Sequence, residues 1–404
     1  MQQKKLYMSK CILIIALVLS IGVGCKKKSV TPSTPYYSVS SASLTKARYR
    51  LAAGVLGNNV VFAGGVVPGR TYDPVVEIYT VLGDGALKRR SDYVINLAEG
   101  RSELAAAVIG SNIVFAGGDT DTGATKTIDI FELGGDDILK KVSHSLELQE
   151  SRTLVGTVTI GNKIIFAGGW TNSLSSDKID IFELGLDGKL KKVTHSLKLK
   201  EARFGTVGAV IGNKVVFAGG TKNFTYDGSN ISDKVDIFEL QNDGSLKEIP
   251  NTLRLSKPRF DLAATALGNK IIFAGGKDAL GEDSDLIDIF ELQNDGAVAK
   301  VSYTLRLSKA RSALSAVTVR NRVVFAGGLF ANHSTTPSTI TPSDVVDIFE
   351  LSNNTIQKAN GFELLKLTQA RYFLTGVSVN NQAIFAGGDG AGGSTSDKID
   401  VINF

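Results

Sequence analysis

The sequence predicts an all-β protein: a seven-bladed β-propeller of four-stranded antiparallel blades, its last blade closed by an N-terminal strand. Three observations carry this. The tetrapeptide FAGG starts at Phe62, Phe115, Phe166, Phe217, Phe273, Phe325 and Phe385, 51 to 60 residues apart. An arginine stands fourteen residues before every one of them, at Arg48, Arg101, Arg152, Arg203, Arg259, Arg311 and Arg371. No helical periodicity of useful length appears after Cys25. A spacing held seven times within units of unequal length marks a rigid repeat joined by elastic connections.

Each unit reads as four short strands, A to D, and the second shows them clearly. Strand A spans about Glu103 to Ile109, and Gly110-Ser111-Asn112 supplies a tight hairpin turn. Strand B follows as Ile113 to Ala116, ended by Gly117 and Gly118, where close backbone approach or positive φ is expected. Strand C is Thr127 to Leu133, whose IDIFEL pattern recurs in later units, and strand D is Leu139 to Leu146. Asp-Gly turns such as Asp187-Gly188, Asp243-Gly244 and Asp295-Gly296 separate C from D.

The chain stops after strand C of the seventh unit, Ile399 to Phe404. Before the first arginine stands YYSVSSASLTKAR, which aligns with the strand D segments preceding Arg203 and Arg311. Residues Tyr37 to Leu44 are therefore expected to be the missing fourth strand of blade 7. Such a clasp hides two sheet edges and closes the ring.

The repeat resembles the kelch repeat from about Tyr37 to Phe404: a double glycine ends strand B, an arginine precedes strand A, and aromatic residues mark strand C at Phe131, Phe182, Phe238, Phe290 and Phe349. Strand D lacks the family's tryptophan, and Trp170, the single tryptophan, follows a double glycine. The resemblance implies blades stacked round a central channel with strand A nearest it.

The first 24 residues read as a signal peptide. Lys4, Lys5 and Lys10 precede an apolar run from Cys11 to Val23, too short for a confident membrane span. The GVGC ending resembles the lipobox of bacterial lipoproteins, which implies lipidation of Cys25, a membrane anchor and an extracytoplasmic place in the cell envelope. Residues 25–36, with Lys26, Lys27 and Lys28, form a polar tether. Cys11 and Cys25 are the only cysteines, so the mature domain is expected to have neither disulfide nor thiol chemistry. The net charge of +5 comes from the leader and tether: from Ser29 onward 39 basic residues face 40 acidic ones. That balance removes the electrostatic argument for nucleic acid.

Antiparallel strands put the BC and DA connections on one end of the propeller, and length variation is concentrated in the BC loops of blades 4 and 6, residues 221–234 and 329–344. Their Ser, Thr and Asn content, with Phe224, Tyr226, Phe330 and His333, suits contact with a protein or glycan ligand. The seven arginines open toward the same face, where they could form a cationic ring for a carboxylate. They could equally be structural, because strand C begins with an acid in every blade: Glu77, Asp129, Asp180, Asp236, Asp288, Asp347 and Asp400.

Catalytic candidates are few. His144 and His195 occupy the same place in neighbouring blades, and His333 stands alone in a loop. With no free cysteine left in the mature domain, the copper-radical chemistry of galactose oxidase, a kelch-propeller relative, is excluded, and neither metal nor cofactor is expected. Asp119 and Asp121 only faintly suggest a calcium loop. The expectation is a monomeric, lipid-anchored binding module. The alternatives are an enzyme resembling the kelch-type sialic acid mutarotases, with an arginine–carboxylate pocket at the channel mouth, and a structural envelope protein. Unpaired Arg, Glu or Asp side chains at the mouth would favour the enzyme.

Overall fold

Seven four-stranded antiparallel sheets follow one another along the chain of the computed structural model, which describes residues 37–92, 94–225, 229–302, 304–332 and 339–404. In blade 2 the strands are Ala105–Ile109, Asn112–Ala116, Ile128–Leu133 and Leu139–Lys141. Blade 1 carries one additional short strand, Ile95–Asn96, against its strand C. Two differences from the sequence reading are physical. Strand D is shorter than expected, with regular pairing only from Leu139 to Lys141. Strand A begins two residues late, because Glu103 adopts φ +53°, which extended backbone cannot contain.

The ring closes as the N-terminal alignment predicts. Ser38–Ser43 pairs antiparallel with Lys398–Asn403 along its full length, from Ser38 opposite Asn403 to Ser43 opposite Lys398, and completes blade 7. Blade 7 therefore holds strands from both ends of the described chain, and blades 7 and 1 share a core of Phe62, Tyr79, Ile384 and Val401.

Strand B lies at the heart of each blade, and all seven FAGG phenylalanines are fully buried. In six blades this ring packs edge-on against an aromatic ring of strand C, as in Phe273–Phe290 at 5.7 Å. Blade 7 puts Ile402 at the corresponding position. Strand A alternates buried and half-buried residues in blades 1 to 3, with small side chains, Ala53, Ala106 and Thr157, at half-buried positions.

The double glycine is where one blade meets the next. The amide of its second glycine donates to the carbonyl of the next blade's arginine, from Gly65 to Arg101 through to Gly328 to Arg371. Gly388 then donates to Arg48 at 2.9 Å and closes the circuit. A Cβ on Gly275 would stand 2.6 Å from the Arg311 carbonyl oxygen, so a side chain there would force the blades apart.

Candidate functional site at the channel mouth

The seven arginines are fully buried, each within its own blade. Arg48 pairs with Glu77 at 2.7 Å, Arg101 with Asp129 at 2.7 Å and Arg311 with Asp347 at 2.6 Å. Arg152, Arg203, Arg259 and Arg371 pair with Asp180, Asp236, Asp288 and Asp400. The same acid accepts a backbone N–H three residues before its arginine: that of Thr45, Ala98, Gln149, Lys200, Ser256, Ser308 or Thr368. The pair thus staples the crossover from the preceding blade to strand C. Burial pulls the guanidinium pKa of Arg101, Arg152, Arg259, Arg311 and Arg371 down, and the facing aspartate pushes it back up. Burial raises the Asp288 carboxyl, but Arg259 and Lys300 outweigh it and hold the group below its ordinary value. A ligand in the channel would therefore meet other residues before these guanidinium groups.

Those residues lie two positions after each arginine. Arg50, Glu103, Leu154, Gly205, Asp261, Ala313 and Phe373 all adopt left-handed backbone, with φ between +52° and +62°. Six of the seven are not glycine, and such a conformation costs an L-residue about 1–2 kcal/mol. Hydrogen bonds running round the channel hold it in place. The amide of Arg50 donates to the Phe373 carbonyl, Glu103 to Arg50, Leu154 to Glu103, Gly205 to Leu154, Ala313 to Asp261 and Phe373 to Ala313. Six of the seven possible links are made. The link from Asp261 to Gly205 is open.

One backbone position repeated seven times thus presents six different side chains and one bare glycine to one space. Two adjoining cavities of about 270 and 280 Å3 lie here, the first reaching Glu103, Leu154, Gly205, Asp261, Ala313 and Phe373, the second Arg50, Glu103 and Phe373. Arg50 pairs with Glu103 and lies 4.3 Å from the Phe373 ring centroid. Glu103 also accepts the Thr153 hydroxyl at 3.1 Å, and burial raises its carboxyl pKa against the opposing pull of Arg50. Burial and neighbouring charges, and no side-chain hydrogen bond among the described residues, act on the Asp261 carboxyl. Its side chain meets channel space but is surrounded by protein, and this desolvation pushes its carboxyl up to about 6, with Arg50 opposing and Glu103 adding. The mouth thus combines a paired Arg–Glu unit, an aromatic face and one carboxylate without a hydrogen-bond partner.

Outside the ring, Phe224 lies on Phe204 at 4.6 Å and on Trp170 at 4.9 Å, joining blades 3 and 4 in an aromatic cluster. Phe224 is 62% exposed. Phe330 is exposed on the hairpin formed by Leu329–Asn332 and Thr339–Pro342. Tyr226, His333 and Cys25 lie outside the described residues. Asp119 accepts the Tyr72 hydroxyl at 2.5 Å, and among the described residues no group of three His, Cys, Asp or Glu is placed to hold a metal. Sequence reasoning passed over Arg50, Glu103, Asp261 and Phe373. The signal was the position two after each arginine, where residue type changes completely inside a constant frame.

No family model matches the chain, and no curated protein matches it. The fold has solved counterparts. The structure titled "Structure of YjhT" superposes with a TM-score of 0.52 over 88% of this chain and 95% of that one, at 12% identity. Likeness at that identity establishes the propeller and leaves the chemistry of the mouth to its own residues.

Proposed function

We propose that this chain is a kelch-type propeller that acts as an extracytoplasmic binding module, tethered to a bacterial envelope by lipid on Cys25. It takes a protein or glycan ligand on the face formed by the BC and DA connections. The observation that carries this reading is the left-handed ring. Left-handed backbone is maintained at seven equivalent positions, six of them strained because they are not glycine, and the residues placed there differ in charge, size and polarity. The aromatic cluster of Trp170, Phe204 and Phe224 adds a stacking surface on the same face, suited to a sugar or to an aromatic or proline side chain.

Glycan and peptide arrays probed with residues 29–404 test the reading. Saturable binding that falls at least about tenfold in Phe224→Ala and Phe373→Ala supports it; binding indifferent to both substitutions overturns it. The anchor has a separate check: Cys25→Ser should move the protein from the membrane fraction to the soluble fraction.

Asp261 favours a second reading, an enzyme that moves protons on a sugar. A carboxyl titrating near 6 without a hydrogen-bond partner is suited to general acid–base work. Accelerated sugar mutarotation, abolished by Asp261→Asn, would establish it in place of the module.

A further inference from the structure

Glycine at 205 is unexplained by the frame. Six other residues, among them Leu154 and Phe373, hold the same backbone conformation, so positive φ alone does not require glycine. Steric crowding does not require it either, because a Cβ on Gly205 would meet nothing within 4 Å. What glycine leaves is space, and it leaves it at the one open link of the ring. On one side is the Gly205 carbonyl, which accepts no hydrogen bond from the ring; on the other is Asp261, on whose carboxylate no hydrogen bond acts among the described residues. Resting on the reading of the mouth as a binding site, we infer that the gap between Gly205 and Asp261 is a subsite for a primary ammonium group on an aliphatic stem.

The charges around the gap select a cation. The groups that act on Asp261 are Arg50, Glu103, Lys277 and Asp283. Arg50 pairs with Glu103, and Lys277 stands 3.9 Å from Asp283, so the charge of Asp261 is the one left over. Beside the Asp261 N–H, the donor of the open link, the gap holds a carboxylate and a carbonyl, and these two acceptors match the donors of an ammonium group. The cavity wall supplies the rest: Leu104, Val155, Leu262 and Leu314, each following its ring residue, give an apolar lining for methylenes. A lysine side chain of a partner protein and a free alkyl amine share this chemistry.

The full-length chain in mild detergent, titrated with Nα-acetyl-lysine N-methylamide by calorimetry and by NMR of the Gly205 and Asp261 amides, tests the assignment. Saturable binding that shifts both amides is expected, with the norleucine analogue giving none. Affinity should fall about tenfold from pH 8 to pH 5 as Asp261 protonates. Asp261→Asn should abolish binding, and Gly205→Leu should do so by filling the gap. The ring already accepts leucine at 154, so the second variant is expected to fold. Equal binding of the norleucine analogue, or binding that survives both substitutions, overturns the subsite. If array ligands still bind through Phe224 and Phe373 while the ammonium probe gives no signal, the subsite falls and the mouth stands; if neither binds, both fall. Lysine-containing peptides binding more tightly than the free amine would identify a protein partner as the source.

Discussion

The buried arginine staples and the left-handed ring lie two residues apart in every blade, yet one is the same seven times and the other differs seven times. Arg259 and its six counterparts each meet an acid of their own strand C, because each blade must solve the same problem of holding its crossover. Arg50, Glu103, Leu154, Gly205, Asp261, Ala313 and Phe373 share backbone geometry and nothing else. In a repeat protein sameness marks what the frame needs. Difference at a position whose backbone the frame has fixed marks what a ligand needs.

The sharpest way to break this contrast is to open the frame. Deleting residues 37–44 removes the partner of Lys398–Asn403 and exposes the core between blades 7 and 1. The melting temperature should drop by more than about 10 °C, a loss of several kcal/mol in a domain this large; unchanged melting would mean the ring does not depend on its clasp. Next in size is a single staple. Arg259→Met leaves the buried Asp288 with only Lys300 and Ser256 as partners and should cost up to about 3–5 kcal/mol in chemical denaturation. Adding Asp288→Leu should recover much of that loss, and the same double cycle on Arg311 and Asp347 should give a similar answer if the frame is uniform.

Substitution in the ring should have the opposite sign. Asp261 is raised on folding, so between about pH 4 and 6 the folded chain binds the extra proton and stability falls as pH rises through that window. Above pH 6 Asp261→Asn should therefore be more stable than the parent, by up to about 3 kcal/mol, less whatever channel water screens. The gain should vanish below pH 4, and a gain independent of pH would contradict the account. The smallest effect concerns backbone strain. Ala313→Gly relieves a left-handed alanine and should stabilise the chain by about 1 kcal/mol, whereas Gly205→Ala should destabilise it by a similar amount.

Much of this was legible in the chain. FAGG and its arginine located strands A and B, IDIFEL located strand C, and the alignment before Arg48 located the strand that closes blade 7. The acids of strand C suggested the ion pairs that burial then explains. Strand D was read too long because LKKVSHSL continues the pattern of a strand while its pairing ends after Lys141. Glu103 was read as the start of strand A because residue type alone does not disclose a positive φ in a residue other than glycine or asparagine. That misplacement hid the site, for the same turn occurs at Arg50, Leu154, Asp261, Ala313 and Phe373.

The sequence by itself determined the number of blades, the order of strands and the frame of each repeat, because these rest on alternation, turns and spacings confined to some fifty residues, and it determined the closure of the ring because the segment before Arg48 matches the strand D segments of other blades. Tertiary structure alone decided which side chains meet at the mouth. Arg50, Glu103, Asp261 and Phe373 come from blades 1, 2, 5 and 7, and they converge only when the seven blades close into a ring. The pairing of Arg50 with Glu103, the raised carboxyl of Asp261 and the open link beside Gly205 follow from that closure, in which groups far apart in the chain desolvate one another.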